Sequence, residues 1–262
     1  MLGWSINLFR VFGIQLAVHA SFVLLLVYAG FEGWQDDGGW MGMLVSVVLT
    51  LAFFVCVVLH ELGHSLTARR YGIQVPRILL MPIGGMAEFA SIPRQPAHEF
   101  LITIAGPLVN FAIVLILWAA VGLPPGLPFH PAIEDSFRGL WQLLLYWNGV
   151  MGLFNLLPVF PMDGGRIFRA LLASRLPYLR ATWWAVMVGR VLAMGFIAWG
   201  LYADHLMLAV LFTFILVAGN AEYQAALRRE QEEAYWREMA RQAVMAPPPS
   251  GDEPPLILHG PN

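Results

Sequence analysis

Long apolar runs, separated by short polar stretches, dominate this chain, and their lengths suit helices that cross a bilayer. Six segments qualify, at about 14–30, 43–66, 98–121, 139–157, 182–200 and 204–221. Each is near the roughly 20 residues that span hydrocarbon as helix. The first is short, the fourth is interrupted by Asn148 and Asn155, and the fifth carries Arg190. Inside hydrocarbon every backbone N–H and C=O needs an internal partner, which makes helices the expected form. The pattern predicts an all-α polytopic membrane protein with six transmembrane helices.

A stretch of different character lies between the second and third predicted helices. Tyr71-Gly72 breaks the helix, and Ile73-Gln-Val-Pro-Arg-Ile-Leu-Leu80 is strand-like around Pro76, which suits an edge. Met81-Pro82-Ile83-Gly84-Gly85 reads as a turn and Met86-Ala-Glu-Phe89 as a returning strand. An ordinary cytoplasmic loop is one reading. The apolar composition favours the other, a short membrane-associated β-hairpin between helices 2 and 3.

Composition agrees with a membrane class: 58% of the 262 residues are hydrophobic and only 12% charged, about half the charged share of a soluble domain. Mean hydropathy is +0.66. All fifteen basic residues are arginine. With a cytoplasmic N-terminus thirteen of them fall inside, only Arg138 outside, and Arg190 within a helix. That is a strong positive-inside bias, and it places both termini in the cytoplasm. The first segment is a poor cleavable signal, because the chain re-enters the membrane at once and no small-residue cleavage site follows. Cys56 stands alone, which excludes a disulfide framework. Its apolar surroundings make it packing.

Three parts are expected along the chain: a six-helix domain over 1–221, a charged cytoplasmic helix over 222–243, and a disordered proline-rich tail over 244–262. The outer connection 122–128 is proline-rich and carries no catalytic pattern.

The candidate chemistry begins where the uncharged run 43–59 ends, in His60-Glu61-Leu62-Gly63-His64. On a helix, positions 60 and 64 share a face one turn apart, so two imidazoles can hold one zinc ion. Glu61 beside them is placed to take a proton from a water molecule activated by that ion. A structural cluster of hydrogen-bonded histidines is the alternative. Such a cluster at membrane depth is expensive unless its charge is compensated. A third ligand is offered by Asp163 in Pro158-Val-Phe-Pro-Met-Asp-Gly-Gly-Arg166, after a helix that runs in the same direction as the second. A helix cap or an interface carboxylate is the competing role for Asp163. Asn110 either orients water at the site or makes a helix–helix hydrogen bond. His19 either approaches the metal from the first helix or is structural. Arg190 snorkels or pairs with the backbone of a neighbouring helix.

Taken together, His60-Glu61-Leu-Gly-His64 and Asn155-Leu-Leu-Pro-Val-Phe-Pro-Met-Asp163-Gly-Gly resemble the site-2 protease family of zinc intramembrane proteases. Gly84-Gly85-Met86-Ala87 is similar to that family's intervening loop motif, and Ala105-Gly-Pro-Leu-Val-Asn110 to its third-helix motif. The resemblance covers roughly residues 10 to 220. It implies His60, His64 and Asp163 as zinc ligands, Glu61 as the catalytic glutamate, and Asn155 as a residue handling the scissile peptide. Gly84, Gly85, Met86, Ala87 and Asn110 become candidate substrate-binding positions. It also implies a prokaryotic-type cytoplasmic membrane, a transmembrane substrate protein and a possible membrane regulator, besides the lipid bilayer. No nucleic-acid partner is expected. Neither a regulatory nucleotide-binding domain nor a PDZ domain is recognisable within this chain. Two other functions compete: an inactive metal-stabilised scaffold, which would not need Glu61, and a metal transporter, which would need sites across the helices.

Overall fold

The computed structural model of the chain describes residues 4–35, 39–90, 95–122 and 137–245. In chain order the elements are β1 (Ser5–Val11), β2 (Ile14–His19), α1 (Ser21–Gly33), α2 (Gly39–Arg70), β3 (Arg77–Met81), β4 (Gly84–Glu88), α3 (Pro96–Val121), α4 (Phe137–Asn155), α5 (Asp163–Ala173), α6 (Tyr178–Tyr202) and α7 (Leu206–Met245). Four of the described helices are long and apolar enough to cross a membrane: α2, α3, α6 and residues Leu206–Gln242 of α7. The protein is therefore an integral membrane protein. Its outward surface is rich in large apolar side chains, among them Leu24, Val55, Ile116 and Val217, as a lipid-facing surface requires.

The hairpin expected between helices 2 and 3 is present. β3 and β4 pair antiparallel, with Arg77 opposite Glu88 and Leu80 opposite Gly85. An ion pair of 2.5 Å between Arg77 Nη2 and Glu88 Oε1 fastens its open end. The hairpin does not stand alone: it belongs to a small sheet beside the helices of the expected all-α polytopic body. β2 pairs with β3 in parallel, and the sheet has four strands in the order β1-β2-β3-β4. β4 is one of its two edges.

The first predicted span, 14–30, is corrected by the same sheet. Residues Ile14–His19 form strand β2, and helix begins only at Ser21. Phe12 and Gly13 both adopt positive φ, 51° and 82°, and Val11 pairs with Ile14. That is the two-residue turn whose twist matches a hairpin. A mostly apolar run across 14–30, broken only by Gln15, His19 and Ser21, does not distinguish a buried strand running into a helix from one helix. His19 accordingly ends a strand. Its Nδ1 lies 2.7 Å from Ser21 Oγ, a local contact.

A core cluster containing Ile14, Phe22, Phe54, Leu62, Ile78 and Ile102 joins the sheet to α1, α2 and α3. A second, built on Val159, Phe212 and Ile215, lies between α6, α7 and the segment after α4. The charged residues 222–243 lie in the distal part of α7, continuous with its apolar part. At 1.5 Å per residue a helix of 40 residues is about 60 Å long, twice the hydrocarbon thickness. The proline-rich connection beyond Gly122 and the tail beyond Met245 lie outside the described residues.

Candidate metal centre

Three elements bring the site together. α2 carries His60 and His64 on one face, and both are buried, 5% and 7% exposed. α3 packs so closely on that face that Gly106 lies against the two rings. A Cβ there would collide with His64 Nε2 and stand 2.8 Å from His60 Cε1. Gly63 of α2 faces α3 in the same way, since a Cβ would come within 2.8 Å of the Ala105 carbonyl oxygen. The third element is α5, which was not anticipated as a helix and whose first residue is Asp163.

Asp163 Oδ2 lies 3.2 Å from Nε2 of both His60 and His64, and the two Nε2 atoms are 3.0 Å apart. The three potential ligand atoms lie within 4.8 Å of one another. Asp163 Oδ2 is buried and makes no hydrogen bond.

The state of the histidines follows from their other ring nitrogens. His64 Nδ1 lies 2.8 Å from the Ile102 carbonyl oxygen, which can only accept, so Nδ1 carries the proton. His60 Nδ1 lies 2.6 Å from Asn110 Oδ1. Asn110 Nδ2 donates to Asn148 Oδ1 at 3.0 Å, and Asn148 Nδ2 donates to the Leu144 carbonyl at 2.8 Å. The carbonyl at the end of this chain fixes the direction of every bond in it, and hence a protonated Nδ1 on His60. In the neutral rings both Nε2 atoms therefore present lone pairs to a carboxylate oxygen. Three electron-rich atoms converging away from water repel one another, and a buried unpaired carboxylate costs on the order of several kcal/mol. A cation removes the conflict. Two imidazoles and one carboxylate are a ligand set that zinc accepts with a position left open, so the residues present fit that ion.

Glu61 is half-buried beside His60, and Gly85 of β4 lies against its side chain. A Cβ at 85 would stand 2.6 Å from Glu61 Cγ. The edge strand thus runs directly past this carboxylate, and only glycine leaves room for it. Gly84, at φ 133°, uses the conformational freedom of glycine at the turn. Met86 is exposed, while Ala87 turns inward onto the core. Asn155 is the last residue of α4 and half-buried. Asn110 is fully buried, and its bond to His60 joins α3 to α2.

Other residues acquire partners only in the structure. Asn148 was visible only as a polar break in an apolar run. Gly164 and Gly165 let the start of α5 pack against the preceding segment, where Cβ atoms would strike the carbonyls of Leu156 and Leu157 and approach Phe160 N to 2.7 Å. Arg190 pairs with the side-chain amide of Asn220 on α7 and reaches Met187 Sδ at 3.4 Å, which replaces the expected backbone partner. Cys56 is buried in α2.

Comparison with known proteins gives a consistent result. The profile of peptidase family M50 matches residues 48–133 and 124–196. A zinc metalloprotease of Methanocaldococcus jannaschii is 35% identical over 249 residues, covering 95% of this chain and 68% of that protein. A putative zinc metalloprotease of Synechocystis is 33% identical over 174 residues, 64% of this chain and 44% of that protein. Stage IV sporulation protein FB of Bacillus subtilis is 27% identical over 177 residues, 66% and 58% respectively. The chain thus spans about two thirds of the archaeal relative and about half of the other two. Among solved structures, a site-2 protease from Methanocaldococcus jannaschii matches with a TM-score of 0.58 and 37% identity, over 84% of this chain and 95% of that one.

Proposed function

Because the chain belongs to peptidase family M50, the zinc-dependent intramembrane endopeptidases of the site-2 type, we propose that it cleaves a transmembrane segment of another membrane protein after that segment has locally unwound. His60, His64 and Asp163 hold the zinc. When bound there, zinc supplies a Lewis acid that acidifies a water molecule and polarises a carbonyl. Glu61 takes the proton from the attacking water and returns it to the departing amine. Asn155 hydrogen-bonds the peptide being cut.

The observation that carries the substrate reading is the contact between edge strand β4 and Glu61. A helical substrate hides its amides in i→i−4 bonds and must expose a stretch of backbone to be attacked. Strand addition along Gly84–Glu88 gives those amides new partners and carries the scissile bond past Glu61. Gly84, Gly85, Met86 and Ala87 then line the substrate.

We further read α1 and α4 as spans beside the four long helices, which makes six, with both termini in the cytoplasm of a prokaryotic-type membrane. His60 lies 21 residues after the start of α2, about 32 Å along its axis. A helix entering from the outer face therefore delivers the site near the cytoplasmic boundary. The arginine distribution supports the same orientation.

The reading is tested by reconstituting the wild type and Glu61→Gln with a single-spanning substrate protein, measuring cleavage and zinc together. Loss of cleavage with one zinc retained is expected. Near-normal hydrolysis by Glu61→Gln rules out the role of Glu61, and substrate crosslinks confined to the outer loops rule out strand addition.

A further inference from the structure

The helix that presents Asp163 is weakly held by apolar packing. α5 has only 11 residues, and those buried are Gly164, Gly165, Arg169 and Ala170. No large apolar side chain of α5 is fully buried, and its only long buried side chain is a cation. Arg169 is 2% exposed. Its Nη2 and Nε both donate to Glu99 Oε1, at 2.5 and 2.9 Å, and its Nη1 donates to Glu222 Oε1 at 2.9 Å. The guanidinium also lies 5.0 Å from the ring centres of Phe160 and Tyr178. One side chain on α5 is therefore gripped from α3, α6, α7 and the segment before α5.

We propose that Arg169 is a positioning residue for zinc, fixing the rotation of α5 that brings the Asp163 carboxylate to His60 and His64. Glu99 lies on α3, the helix whose Ile102 carbonyl and Asn110 side chain orient the two histidines. Arg169 thus refers the third ligand to the same helix as the first two. The tolerance is small: a 20° turn of α5 displaces a carboxylate roughly 5 Å from the helix axis by about 1.7 Å, against about 0.2 Å for a metal–ligand bond. The glycine contacts set how close α5 comes, and the forked guanidinium sets how it is turned. Lysine offers a single point of donation and would reproduce the charge without the fork. Glu222 joins the start of the charged part of α7 to the same cation, so that part of α7 also bears on the metal site.

This inference rests on the zinc assignment, and its test keeps the two apart. The full-length protein in detergent is loaded with cobalt(II), whose visible spectrum reports the ligand set, and zinc affinity is measured by competition with a chelator. Asp163→Ala is the reference for a lost ligand. Arg169→Gln is expected to weaken zinc about 10–100-fold, as for an orienting partner, and to move the cobalt spectrum toward that of Asp163→Ala. Arg169→Lys should fall between wild type and Arg169→Gln. The triple variant Glu99→Gln/Arg169→Met/Glu222→Gln removes the buried cation together with both of its carboxylate partners, which spares the fold the cost of an unpaired ion. It should keep thermal stability yet lose zinc affinity in the same way, and it decides the matter if Arg169→Gln does not fold. A folded variant of either kind with wild-type zinc affinity and spectrum overturns the proposal. A wild type that binds neither metal overturns the zinc assignment itself.

Discussion

α2 and α5 do the same job by opposite means. α2 is a 32-residue helix whose buried Phe54, Val57 and Leu62 belong to the largest core cluster; the two histidines are anchored as a by-product of that packing. α5 is a third as long, amphipathic, and held through two glycines and an ion pair. Stability and ligation should therefore be separable, since a damaged apolar contact weakens the fold around α2 and a damaged close approach on α5 misplaces a ligand.

The largest effect is expected from Asp163→Ala. It removes the ligand itself, so cleavage should fall below detection. Zinc affinity should drop by more than the about 100-fold upper range of an orienting partner, measured by chelator competition.

Gly164→Ala breaks the comparison on the α5 side. Its Cβ meets two carbonyls and pushes the helix off, so zinc affinity should fall about tenfold or more while thermal stability changes by about 1–3 kcal/mol. Leu62→Ala, on the other side of the comparison, should cost about 2–5 kcal/mol of stability with zinc affinity nearly unchanged. Equal loss of affinity in the two variants would abolish the distinction between the helices.

Asn110→Ala leaves His60 Nδ1 without its acceptor. It should reduce zinc affinity about 10–100-fold, with a stability loss of about 1–3 kcal/mol for the stranded donor. Asn148→Ala acts one bond further out. It should weaken zinc only a few-fold, less than about tenfold, and titration of both variants against one chelator gives the order directly.

Much of the site is legible in the sequence because its geometry is local. His60 and His64 share a face by helical spacing alone, and Glu61 sits between them in the chain. Asp163 is legible through its motif rather than its spacing, since nothing in the 98 intervening residues, 65–162, dictates where they return. The hairpin at 77–88 announced itself through Pro76 and the Gly84-Gly85 turn. What could not be read depends on partners far away in sequence. Asn148 is a polar break until Asn110 is placed beside it, and Arg169 is a surface arginine until Glu99, 70 residues earlier, closes on it. Strand β2 is not legible because its buried Ile14, Leu16 and Ala17 lead into the apolar residues of α1, and apolarity measures burial rather than backbone conformation.

The central claim is that His60, His64 and Asp163 share one zinc ion. X-ray absorption at the zinc edge of the purified wild type, beside Asp163→Ala, tests it most directly. The account predicts one zinc per chain, with two imidazole nitrogens and a carboxylate oxygen at about 2.0–2.2 Å, and a changed oxygen shell or lost metal in the variant. Zinc bound with full occupancy and an identical spectrum in Asp163→Ala would contradict it.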